Sequence, residues 1–198
     1  MEEAKKKIDE TIKEANRLRE ELAVLKSKSK RKKKIGQYNA AVKKVRMTEL
    51  HNRAMSISFE CVLSSDRCKD AIEAFKKVIE LDPGNADAYY ESGWSYFCWG
   101  KYREAIDMYT KALKRGGKTR DHVVVSGRGD KNENVYSNRG LAYFHSGNYK
   151  QAISDYSFAI KLRATFSRDS VFIYINRGDA YSKLSDYQKA INDYDQVK

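Results

Sequence analysis

The chain has 198 residues, 41% hydrophobic and 33% charged, with one proline, Pro83, and eleven glycines. So few breakers favour helix over a turn-rich β fold, and the fourteen tyrosines are too many for a solvated tail. The formal charge is +12: residues 1–60 hold 17 Lys+Arg against 9 Asp+Glu, and residues 61–198 hold 22 against 18. No run of about 18 apolar residues exists, which excludes a transmembrane helix, and the N-terminus lacks the apolar stretch of a secretory signal. Three cysteines, Cys61, Cys68 and Cys98, make no even disulfide framework. They place the chain in a reducing compartment, the cytoplasm or, as the alternative, the nucleus.

The first predicted element is a helix. Ile8, Thr11, Ala15, Leu18, Leu22 and Leu25 step by three and four, a heptad seam with Ile12 beside it. At about two and a half heptads it is short for a stable coiled coil. It folds back on its own domain, forms only with a partner, or self-associates. Residues 26–34, KSKSKRKKK, hold seven like charges in nine positions and predict a linker or frayed helix. Gly36 predicts a break, which divides the chain into a basic helical segment with linker, 1–35, and a second domain, 36–198. Helical periodicity resumes through Tyr38, Ala41, Val42, Val45, Leu50, Ala54, Ile57 and Cys61.

From Asp70 the chain repeats itself. Ala71, Ala105, Ala152 and Ala190 are each followed by isoleucine (Ile72, Ile106, Ile153, Ile191) and, three residues later, by an aromatic ring (Phe75, Tyr109, Tyr156, Tyr194). The alanines are spaced by 34, 47 and 38 residues. Gly93, Gly140 and Gly178 each stand twelve residues before an alanine, and Tyr102, Tyr149 and Tyr187 three before it. A glycine lets a facing helix approach closely, an alanine does the same from the other side, and the tyrosine plugs the gap. One such hairpin cannot bury its apolar face alone, so a period near 34 predicts stacked hairpins.

These residues resemble the tetratricopeptide repeat family over about residues 50–198. The resemblance implies an all-α, right-handed superhelical solenoid of antiparallel helix pairs, preceded here by a long N-terminal helix. About four pairs are expected. The first is degenerate, with Asn52-Arg53-Ala54 in place of the Asn-Arg-Gly triplet and a loop lengthened through Ser64 to Cys68. Residues 115–131 form an insert. The chain ends at Lys198 inside the last expected helix, with no polar capping helix after it.

The resemblance also implies that the first helix of each pair lines a concave groove, where a protein or peptide partner would bind. The groove residues are then Tyr90, Glu91, Trp94 and Phe97, followed by Asn138, Leu141, Phe144 and His145, and finally Asn176, Asp179 and Lys183. Phe97 and Phe144 have a second reading, as rings packed against the neighbouring repeat. One subset of the family grips a C-terminal carboxylate with two Lys, two Asn and an Arg. Only Asn138 matches that set. Tyr90, Trp94, Phe172 and Asn176 occupy the other positions and argue against such a clamp.

No catalytic constellation stands out, and the chain reads as a scaffold rather than an enzyme. Gly117-Lys118-Thr119 lacks the upstream glycine of a phosphate loop, since Ala112 stands there. Asp130, Asn132 and Asn134 lack a calcium loop's glycine and closing acid. His51, His122 and His145 have no zinc-like spacing. No metal or cofactor is therefore expected. The alternative function is nucleic-acid association, in which Lys28, Lys30, Arg31, Lys32, Lys33 and Lys34 would neutralise phosphates. The same run suits nuclear import or attachment to an anionic membrane.

Overall fold

The computed structural model describes residues 2–24, 28–62, 64–116, 131–162 and 168–197. Among them the chain is helical throughout. Its elements are α1 (Glu2–Val24), α2 (Lys28–Phe59), a short 3-10 turn (Glu60–Val62), α3 (Ser65–Leu81), α4 (Ala86–Cys98), α5 (Tyr102–Gly116), α6 (Lys131–His145), α7 (Tyr149–Leu162), α8 (Arg168–Lys183) and α9 (Tyr187–Asp195). Among the described residues no helix is long and apolar enough to cross a membrane.

The two N-terminal helices form an antiparallel hairpin. Ala15 and Leu18 of the heptad seam are buried against Tyr38 and Ala41, and Glu21 pairs with both Arg17 and Lys34. The seam is thus covered by the chain's own α2. Leu25 lies outside the described residues. The break expected at Gly36 is absent, because Gly36 sits inside the continuous α2 with open space around it. A glycine costs a helix only about 1 kcal/mol, lysine and arginine are good helix formers, and packing against α1 outweighs the charge repulsion. Residues 28–34, expected to be linker or frayed, belong to α2.

The C-terminal half of α2 is the first helix of the first repeat. Ala54 is fully buried with Cys61, Cys68, Ala71, Phe75 and Val78. The extra residues expected as a loop through Cys68 are helical instead: Ser64 caps α3 by accepting the Asp66 N–H at 3.2 Å, and Cys68 lies in its first turn. Of the expected insert, Arg115 and Gly116 belong to α5 and Lys131 to α6, and residues 117–130 lie outside the described residues. The last helix closes at Asp195, before the chain end.

The interlock read from the spacing is present. A methyl group on Gly93 would lie 2.8 Å from the Tyr109 ring, one on Gly140 2.9 Å from Tyr156, and one on Gly178 2.5 Å from Tyr194. Between helices of a pair, Gly100 and Gly147 turn the chain at φ +75° and +79°, and Ser185 takes the same left-handed conformation at φ 61°. The helices α2, α4, α6 and α8 touch one another in succession, whereas α3, α5, α7 and α9 do not. The first helix of each pair therefore lines the inner wall and the second the outer.

Candidate partner-binding groove

The inner wall is anchored by residues the spacing did not single out. Arg139 on α6 forks onto Asp155 on α7 with two bonds of 2.7 and 2.8 Å, and its third nitrogen donates to Thr110 on α5 at 3.0 Å. Arg177 on α8 repeats the arrangement, meeting Asp193 on α9 at 2.8 and 2.6 Å and Ser157 on α7 at 2.9 Å. Each arginine thus ties its own hairpin and reaches back to the preceding one. The carboxylates are only 6% and 7% exposed, where bidentate geometry makes such pairs strong. The recurring Arg before Gly, and the Asp three residues after Ala, were the signal that could have found them.

The expected groove residues divide into two groups. Phe97 and Phe144 are half-buried and packed, and the exposed His145 has ring contacts with both. Phe97 lies 5.5 Å from Tyr102 and 5.5 Å from His145 of the next repeat, and Phe144 lies 5.4 Å from Tyr149. His145 stacks on Tyr102 at 5.2 Å. Asp179 accepts the Tyr194 hydroxyl at 2.7 Å, a bond within its own hairpin. Lys183 is exposed, and Leu141 and Asn176 are half-buried.

Tyr90 and Asn138 meet at the junction of α4 and α6, and Glu91 and Trp94 lie on α4 beside Tyr90 in sequence. The Asn138 side-chain amide donates to the Tyr90 hydroxyl at 2.8 Å, bridging the two helices. Burial, together with the charge of Glu91, pushes the Tyr90 hydroxyl up to about 12 against the opposing bond from Asn138. Trp94 is half-buried and stacks on Phe97 at 5.7 Å with 20° between planes. Glu91 lies one turn before it, half-buried, and burial together with the charge of Asp87 raises its carboxyl to about 7. Towards α2, a buried pair of hydroxyls, Ser58 and Ser95, holds the wall at 3.3 Å.

The basic residues lie elsewhere. Arg31, Lys32, Lys33, Lys43, Lys44 and Arg46 are exposed along the N-terminal half of α2, while Lys34 is engaged by Glu21. Lys28 and Lys30 belong to α2, but their side chains lie outside the described residues. The cysteines are free thiols, and burial raises Cys68 to about 12 and Cys98 to about 11, which suits packing rather than thiolate chemistry. No cluster of three metal-ligating side chains occurs among the described residues.

Stacked hairpins with interlocked glycines, and a concave wall of polar and aromatic side chains, define a helical-repeat solenoid. Two tetratricopeptide repeat profiles match the chain, one over residues 74–107 and the other over residues 132–197. The chain is a member of the tetratricopeptide repeat family. Among curated proteins no sequence matches it. Solved structures share its fold. PilF of Pseudomonas aeruginosa is 16% identical with a TM-score of 0.62, over 98% of this chain and 76% of that one. MamA from Desulfovibrio magneticus RS-1 is 14% identical with a TM-score of 0.61, over 96% of this chain and 93% of that one. YrrB, described as a tetratricopeptide repeat protein with an unusual peptide-binding site, is 22% identical with a TM-score of 0.53, over 67% of this chain and 59% of that one.

Proposed function

We propose that this protein is a protein–protein interaction scaffold that holds an extended segment of a partner in the groove lined by α2, α4, α6 and α8. The observation that carries this reading is the α4–α6 junction, where the Asn138 amide meets the Tyr90 hydroxyl between two inner helices and Glu91 and Trp94, beside Tyr90 on α4, are only half-buried. Asn138 offers both donor and acceptor to a peptide backbone, and Trp94 offers apolar surface. Affinity capture with the full chain tests it. The variant Trp94→Ala/Asn138→Ala loses its partners, while a variant of the outer wall, Lys150→Ala/Lys161→Ala, keeps them. Equal capture by both would sink the groove as the functional surface.

A second reading rests on the exposed arginines and lysines of α2, which suit sequence-independent contact with phosphates. The aromatic ring interleaved with them, Tyr38, is packed against Ala15 and Leu18 rather than left open to stack on a base. Nuclease treatment in the same capture separates the two readings, since only the second loses its partners to it.

A further inference from the structure

We infer that the α4 section of the groove receives a cationic side chain, a lysine or arginine of the partner's segment, against the carboxylate of Glu91. This rests on the groove reading above and names the chemistry of its occupant.

The argument begins with charge. A half-buried carboxylate normally has a cation or a strong donor beside it, because desolvation penalises the charged form. Three other carboxylates follow this rule: Asp155 has Arg139, Asp193 has Arg177, and Asp179 has the Tyr194 hydroxyl. Glu91 has no ion pair among the described residues, and its nearest charge, Asp87 one turn earlier, is of the same sign. The chain carries an excess of twelve positive charges, so a counter-ion for Glu91 was available in composition and is not placed there.

The surroundings select a cation that arrives on an apolar stem. Trp94 stands one turn after Glu91 on α4, and the face of such a ring attracts ammonium and guanidinium groups. Lysine and arginine carry long aliphatic stems that lie well on aromatic surface while the charged head reaches a polar group. The Asn138–Tyr90 bond fixes the far side of this section. An acidic or neutral polar side chain would leave Glu91 unpaired in the complex, at greater cost than in the free protein. Charge complementarity therefore picks a basic segment, opposite to what the chain's overall charge attracts.

The experiment uses the full chain, immobilised, and a library of nonapeptides with both termini blocked. The central residue is fixed in each sub-library and the other positions are mixed. Sub-libraries with central Lys or Arg are expected to be retained about tenfold better than the one with central citrulline. That preference falls to near parity on Glu91→Gln, whose helical content is checked by circular dichroism. A cation preference that survives Glu91→Gln overturns the assignment to Glu91. Retention led by Asp or Glu overturns it as well, since that is the response of the positive surface. Retention of apolar sub-libraries alone, lost on Trp94→Ala, overturns the cation and leaves the groove standing. No retention of any sub-library above blank resin removes both.

Discussion

The close approach between helices gives the sharpest test of the fold. Gly140→Ala adds one methyl group, whose carbon would lie 2.9 and 3.0 Å from Cε1 and Cδ1 of Tyr156. Comfortable carbon–carbon contact is about 3.5–4.0 Å, so the ring must retreat by more than half an ångström. Tyr156 is fully buried among Ala152, Ala159, Ile173 and Ala180 and has nowhere to go. Overpacking of this kind costs about 1–3 kcal/mol, against a gain of about 1 kcal/mol from placing alanine in a helix. The net expectation is a loss of about 1 kcal/mol. Gly36→Ala is the control, because that glycine is also helical and has nothing within 4 Å. It should gain about 0.5–1 kcal/mol.

Urea unfolding at a fixed pH measures both variants. The difference between them, about 2 kcal/mol, exceeds the error of extrapolation when midpoints are compared at constant m. A double variant sharpens the test. In a Tyr156→Ala background the methyl on residue 140 meets no ring, and Gly140→Ala should then stabilise. If Gly140→Ala matched Gly36→Ala in the wild-type background, the interlock would not exist as described. Gly178 has the tighter approach, 2.5 Å, but its ring belongs to the half-buried Tyr194 of α9, which has room to shift. Its cost should therefore be the smaller of the two.

Three further outcomes are expected. Asp155→Ala should destabilise the chain by about 3 kcal/mol in urea unfolding, because it leaves the largely buried Arg139 fork without its carboxylate; Asp155→Asn should recover only part of this. Ser185→Gly should raise stability by about 0.5 kcal/mol, relieving the left-handed backbone at φ 61° at the expense of a freer unfolded chain, read as a small rise in the thermal midpoint. Glu91→Gln should stabilise the chain by about 1–2 kcal/mol at pH 8 and by almost nothing near pH 4. A carboxyl raised by burial and Asp87 from 4.5 to about 7 favours folding while protonated and loses that contribution as pH climbs from 4.5 through 7. A gain independent of pH would show that Glu91 is not desolvated.

The repeat was legible because it is enforced locally. Glycine, tyrosine and alanine recur at fixed offsets wherever two backbones must approach within a hairpin, and every hairpin restates the rule. Ala54 was harder to see, as it replaces the glycine and faces Phe75 instead of tyrosine, yet its burial shows the same fit. The continuity of α2 was hidden for a different reason. Charge repulsion and Gly36 both argue for a break, and what overrides them is tertiary packing of Ala15 and Leu18 on Tyr38 and Ala41. The Arg139 and Arg177 ties were half visible. Position by position, the earlier repeat carries Ser92 and Met108 where the later ones carry arginine and aspartate, so the pattern holds in two hairpins only. The Tyr90–Asn138 bond was beyond reach, since it crosses repeats separated by an insert whose length erases the register.

That uneven anchoring bears on the groove. The hairpins α6–α7 and α8–α9 are each locked by a buried fork of charge-assisted bonds that also reaches the hairpin before it. Among the described residues the α4–α5 hairpin shows no such fork; a neutral pair, Ser58 with Ser95, joins α4 to α2, and Asn138 bonds to Tyr90 between α6 and α4. A neutral hydrogen bond contributes about 1 kcal/mol net, and a partner backbone that replaces the Tyr90 hydroxyl on Asn138 exchanges one such bond for another. On the proposed reading, a ligand entering the section that holds Glu91 and Trp94 meets these neutral bonds rather than either arginine fork. In that reading the two forked hairpins hold the wall beside it.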